Sequence, residues 1–384
     1  MKDAICENIK STKGNALSTR NISLDVLRVL CMFLIVLGHA MVHGQVSEAL
    51  HPNNINYYLV SILRTFLSVH VNCFVLISGY FLCMQKFKLN KLLSIWGQAF
   101  FWSITLYIIL YISGIVSFDI KSFLKACLPS TQERYWFVTT YLLMYTLIPF
   151  LNAAIRAMSQ RQYAFFLAMF FTIYIVLQNL FFWKKFTSTS SYDPLFFAFI
   201  YMIAAYFRLY PAKRDRIWYI LCYFFICLFS SSYKIGIAWI TNKMFGEVKG
   251  DNIFLSYSSV TMVIASACLF RFFEDLRITN KVVQKAVPLL SSLTFGVYLI
   301  HEQPEVRNFL WNKLLHPMNY AENPLLALYL SGIALLVFLS CALLEYLRQK
   351  ASKILSINKF IKTTSNILST IAMTLVEKAF QLSK

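Results

Sequence analysis

Apolar residues in this chain come in blocks about as long as a bilayer is thick, separated by short polar clusters. Cutting at those clusters and asking for about 20 mostly apolar residues per helical crossing gives ten stretches: 22–42, 57–83, 92–114, 136–151 with its flanks, 163–183, 194–209, 217–232, 253–273, 286–301 and 325–347. The pattern predicts an all-α polytopic membrane protein of about ten transmembrane helices over residues 22–347, flanked by segments 1–21 and 348–384. In the tail, Ile357, Phe360, Ile361, Ile367, Leu368, Ile371 and Leu375 recur at helical spacing between Lys and Ser. Such a segment suits a helix lying flat on the inner leaflet.

Composition agrees with the pattern. Hydrophobic residues make up 58% of the 384 and charged residues only 14%, against roughly 25% charged in soluble domains, so a soluble globular fold is excluded. The 36 Lys and Arg against 17 Asp and Glu invite a nucleic-acid reading, but the basic residues fall between the apolar blocks. Counted on alternate sides of the ten stretches, 24 lie on the side of the N-terminus and 10 on the other, with Arg28 and Arg64 inside spans. That bias places both termini in the cytoplasm of a cell membrane and the loop 43–56, without Lys or Arg, outside. No nucleic-acid partner is expected. The nine Cys form no CxxC pair and no metal-ligand spacing, so they read as small core hydrophobes, and no metal is expected. No cleaved leader is expected either, because the first apolar run follows some 20 polar residues and carries Asp25 and Arg28. The absence of an internal repeat speaks against a carrier built from two similar halves.

The first span holds three ionisable side chains, Asp25, Arg28 and His39. At about 100° per residue, Arg28 and His39 fall roughly 20° apart, and Asp25 and His39 roughly 40°. A charged residue at a helix centre costs on the order of 2.5–3.5 kcal/mol on the mildest scale, so a shared face should look into a bundle or a wet cavity. Asp25 and Arg28 alone could instead snorkel to the headgroups.

The Asp-x-x-Arg start and the Arg28-x10-His39 spacing resemble the signature of the bacterial acyltransferase-3 family, integral membrane O-acyltransferases of surface polysaccharides. Phe74-Val75-Leu76-Ile77-Ser78-Gly79-Tyr80 is similar to that family's second-span motif, with Cys73 where an aromatic is common. Tyr135-Trp136-Phe137 with Tyr141, Tyr145, Pro149 and Asn152 resembles its fourth span, and Gly296-Val297-Tyr298-Leu299-Ile300-His301 its closing motif. The landmarks follow in family order over residues 22–301. The resemblance implies ten spans, acetyl-CoA or another acyl-CoA as donor, and a hydroxyl of a surface glycan or lipid-linked oligosaccharide as acceptor. It also makes His39 the residue on which activity depends.

Physical chemistry gives those roles content. A sugar hydroxyl needs a base whose pKa lies near the working pH, which describes His39. Asp25 lies ~21 Å away along one straight helix and cannot touch it. Asp25 can pair with Arg28, or Arg28 can hold a phosphate or pantetheine group of CoA. A carboxylate orienting His39 must come from elsewhere, with Glu302 and Asp193 as candidates. Arg64 and His70 lie on different faces of one helix, so irregular backbone is needed for both to serve a single site. Tyr135, Trp136, Tyr141 and Tyr298 are candidate acceptor-binding rings, against the commoner reading of an interfacial aromatic belt. His301 is a further substrate-binding candidate, and Ser78-Gly79 reads as a close helix contact. Arg208, Lys213, Arg214 and Arg216 are candidates for the CoA phosphates. Two other readings remain open. One is a transporter or flippase for a glycan or other solute; the other is a membrane acyltransferase of a different class with His301 as its catalytic residue.

Overall fold

The computed structural model describes residues 20–130, 134–180, 191–211, 215–354, 363–364 and 366–367. Among them there is no strand. The main helices are α1 (Ile22–Val42), α2 (Ile55–Leu67), α3 (His70–Leu82), α4 (Leu89–Ile112), α5 (Trp136–Ala157) and α6 (Gln160–Phe171), the last carried on by a π turn and a short helix to Leu180. They continue with α7 (Pro194–Leu209), α8 (Arg216–Phe245), α9 (Val260–Glu274), α10 (Lys281–His301) and α11 (Leu326–Ile354). Among the described residues, eight helical segments are long and apolar enough to cross a bilayer, with α2 and α3 acting as one; α7 has 16 residues and α9 has 15. The chain is an all-α polytopic membrane protein.

Two boundaries differ from the sequence pattern. Residues 253–259 form turns rather than the start of a helix, because Ser259 caps α9 by accepting from the Met262 amide and the hydroxyls of Ser259 and Thr261 donate to the Phe254 carbonyl. Hydroxyl residues favour such caps over helix interiors. In the other direction, α8 runs well past the polar cluster at Ser230–Ser232 and stops only at Gly246, whose φ of +71° ends a helix without strain. Most of the tail, like segment 1–19, lies outside the described residues.

Helix α1 is central and packs against α3, α9, α10 and α11. Leu24, Leu27, Cys31, Val36 and Ala40 are all fully buried along it. At Gly79 a Cβ would stand 2.6 Å from the Tyr201 carbonyl oxygen, so the Ser-Gly pair does let α3 and α7 approach closely. Gly296 on α10 similarly leaves room for the Glu345 side chain from α11, whose Cγ would lie 2.3 Å from an added Cβ. Outward faces of α8 and α11 expose Phe225, Leu228, Leu336 and Leu343, as lipid contact requires.

Candidate active site

A cavity of about 630 Å³ lies between α1, the α2–α3 pair, α5 and α10. Arg28 and Ser291 line one end, and His39, His43, Glu302 and Arg307 the other, with Arg64, His70, Trp136, Tyr192 and Tyr257 on the wall beside them. Because α1 is unbroken from Ile22 to Val42, Arg28 and His39 stand ~16 Å apart along its axis. The helical alignment read from the sequence is therefore realised as two ends of one space.

At the His39 end, His301 and Glu302 close the last turn of α10. His39 Nδ1 lies 3.0 Å from His301 Nε2 and 3.0 Å from Glu302 Oε2. His301 is fully buried and its Nδ1 faces the Val297 carbonyl. A carbonyl only accepts, so that nitrogen carries the proton and His301 Nε2 is left as an acceptor. Both groups facing His39 Nδ1 then accept, so the proton of His39 sits on Nδ1 and its lone pair on Nε2. No other residue among those described takes that Nε2. Glu302 is itself held by Arg307, at 2.8 Å to Oε1, and by His43 Nε2, at 3.3 Å to Oε2. Yet Oε2 receives no hydrogen bond of good geometry; it meets the two imidazoles as close charge neighbours.

At the other end, Asp25 is 4% exposed and cannot be snorkelling. Its carboxylate takes Arg28 Nη1 at 2.9 Å, the Ser291 hydroxyl at 2.6 Å, and Arg20 Nε. Arg28 also donates to Ser291 Oγ at 2.8 Å. Asp25 thus fastens α1 to α10 and aims Arg28 into the cavity. Lys91, which does not line the cavity, is in electrostatic reach of Arg28.

The requirement for irregular backbone at Arg64 and His70 is met. The helix breaks at Ser68–Val69 between α2 and α3, and both side chains line the same cavity. Trp136 and Tyr257 stack there with centroids 6.2 Å apart, and Tyr192 packs edge-on to Trp136 at 4.4 Å. Burial pushes the Tyr257 phenol above its ordinary range, so it stays a neutral donor.

A family model described as an acyltransferase domain matches residues 21–345. The chain belongs to the acyltransferase-3 family. Comparison with curated proteins and with solved structures gives no match.

Within this acyltransferase the residues singled out by sequence are not all in one place. His39, Arg28, Arg64, His70, Trp136, Tyr141 and Tyr298 line the cavity. Tyr141 donates to Ser78 Oγ at 3.2 Å, and the Tyr298 hydroxyl is buried without a partner. Tyr135 is fully buried away from the cavity and donates to the Leu299 carbonyl at 2.9 Å, which makes it a structural tie. Of the two candidate carboxylates, Glu302 reaches His39, whereas Asp193 caps α7 by accepting from the Leu195 amide. Arg208 donates to the Tyr80 hydroxyl at 2.8 Å and Arg216 is exposed at the start of α8; neither lines the cavity. Lys213 and Arg214 lie outside the described residues.

Sequence reasoning missed His43, Arg307, Tyr192 and Tyr257. His43 had a signal, since it follows His39 by four residues on the same face. The ligating atoms of His39, His301 and Glu302 lie within 4.8 Å of one another and can share a cation. His39 Nδ1 and His301 Nε2 themselves stand 3.0 Å apart, at hydrogen-bond distance.

Proposed function

We propose that the protein transfers an acyl group, acetyl in the first instance, from acyl-CoA to a hydroxyl of a cell-surface polysaccharide or its lipid-linked precursor. The observation that carries this reading is the pairing of His39 Nδ1 with the accepting Nε2 of His301, with the Glu302 carboxylate as a close charge neighbour, which leaves the Nε2 of His39 as a base on the cavity wall. Nε2 takes the proton of the acceptor hydroxyl as its oxygen attacks the thioester carbonyl. His301 holds the ring in the working tautomer, and Glu302 stabilises the imidazolium. As the tetrahedral intermediate collapses, the C–S bond breaks and the imidazolium returns its proton to the CoA thiolate. The products are an ester and CoA.

Arg28, with Lys91 near it, receives the donor from the cytoplasmic side of the inner membrane, where both termini lie on this reading. The pantetheine arm then spans the ~16 Å to His39. Guanidinium and ammonium groups suit the CoA phosphates.

Two measurements test this. His39→Ala protein in lipid nanodiscs should lose transfer from labelled acetyl-CoA by at least ~10² to 10⁴ while still binding acetyl-CoA in calorimetry, and normal transfer would sink the assignment. Arg28→Ala should weaken donor binding as well. For the orientation, a cysteine placed at Glu48 should react with an impermeant maleimide added outside intact cells, and labelling from the cytoplasm alone would reverse it.

A further inference from the structure

Arginines inside this bundle, buried or half-buried, are mostly paired with acids. Arg28 meets Asp25, Arg134 meets Glu305, Arg271 meets Glu274, Arg307 meets Glu302 and Arg348 meets Glu345. Arg64 breaks the rule. It lines the cavity, yet among the described residues its guanidinium makes no hydrogen bond or ion pair. The acid in electrostatic reach of it, Asp251, is already taken by Lys234 and receives no second cation. One positive charge is therefore left over in a wall of aromatic rings, where an unpaired guanidinium is costly. Beside it, His70 is 7% exposed and its Nδ1 has no partner. The break at Ser68–Val69 turns both groups toward the same space. An unmatched cation and an unmatched ring nitrogen at one wall describe a site whose complement is a ligand.

We propose that Arg64 reads an oxyanion on the acceptor, so that the glycan acylated at His39 carries a carboxylate or a phosphate close to its reacting hydroxyl. The guanidinium fork takes two oxygens of either group at once. Trp136 and Tyr257 supply stacked faces for the sugar ring next to that charge. The donor does not need Arg64, because Arg28 stands at the opposite end of the cavity. The inference rests on the acyl-transfer reading for the identity of the bound sugar as acceptor, but the charge preference itself is measurable without turnover.

The test is calorimetry on the full chain in nanodiscs, without acyl-CoA, using methyl glucuronoside, glucose 1-phosphate and neutral methyl glucoside. Wild-type protein should bind at least one charged probe roughly 10-fold to 100-fold more tightly than the neutral one, the range of a charge-assisted hydrogen bond. Arg64→Gln should erase that ratio and Arg64→Lys, which keeps the charge, should retain part of it. A tighter glucuronoside identifies an acidic sugar as the source of the oxyanion; a tighter sugar phosphate identifies a phosphorylated carrier or repeat. Equal binding of charged and neutral probes, no binding of the charged probes at millimolar concentration, or a preference that survives Arg64→Gln overturns the proposal. So does an Arg64→Gln protein that loses affinity for acetyl-CoA instead, since the donor would then own the arginine. If transfer proceeds to hydroxyls of either kind without charge preference, this inference falls and the acyl-transfer reading stands. If the charge preference holds and no transfer is found, the reverse is true.

Discussion

Two glutamates are buried against the last turns of α10, and they are used differently. Glu345, reaching in from α11 over Gly296, is fully buried, and its two oxygens accept from Gln98, Trp102, Arg348 and Gln349. Glu302, just past His301, is 4% exposed, but only one of its oxygens has a well-directed donor, Arg307. The other faces two imidazoles. A saturated carboxylate has no capacity left for chemistry and holds helices together. An under-satisfied one keeps unspent attraction for a proton or a positive charge that appears only during reaction, which is the condition for stabilising a transition state.

That contrast can be broken by exchanging the expected outcomes. The largest effect belongs to Glu302→Gln, which should lower the transfer rate by ~10² to 10⁴ through loss of imidazolium stabilisation. Its melting temperature should stay near wild type. A rate within threefold of wild type would make Glu302 structural after all. Glu345→Ala should do the opposite, destabilising the fold by about 3–5 kcal/mol because Arg348 loses its buried partner. Transfer per folded molecule should be preserved, and the readout is a thermal or denaturant melt in detergent beside a rate normalised to folded protein. Gly296→Ala sharpens the same point at lower cost. Its Cβ would press on Glu345 at 2.3–2.5 Å, so overpacking of about 1–3 kcal/mol is expected, and if that contact is the cause, Gly296→Ala should cost nothing further in a Glu345→Ala background. The smallest expected effect is none: prolonged treatment with a chelator should leave transfer unchanged if the 3.0 Å contact of His39 Nδ1 and His301 Nε2 is a hydrogen bond, as its distance indicates. A metal-dependent loss that zinc restores would reassign the cluster.

The sequence carried the bundle and the first-span line of Asp25, Arg28 and His39, because both follow from local periodicity and from the cost of charge in lipid. Of the partners of that line, Asp25 for Arg28 was legible from spacing and Glu302 was one of two candidate carboxylates, but the pairing with His301 was not legible. His39 meets His301 across 262 residues, and no spacing rule within one chain specifies which helices become neighbours. The break that joins Arg64 to His70 was equally hidden, since it contains neither Pro nor Gly. It shows only as Ser68, whose hydroxyl bonds back to the Arg64 carbonyl at 2.7 Å. Conversely, Ser230–Ser232 looked like the end of a span, but Ser231 returns its hydroxyl to the Cys227 carbonyl at 2.8 Å and the helix continues.

The same break has a consequence for biosynthesis. Each half, α2 or α3, is 13 residues, ~20 Å long and too short to cross ~30 Å of hydrocarbon alone. The opened turn leaves the Phe66 carbonyl to a partner outside the pair, and that partner is the Tyr223 hydroxyl at 2.9 Å, 157 residues downstream. At roughly 5–20 residues per second of synthesis, the ribosome needs about 8–30 s to supply it. During that interval the Phe66 carbonyl must be served by water, by the insertion machinery or by a neighbouring chain. The second span therefore stays incompletely tied until α8 has been made.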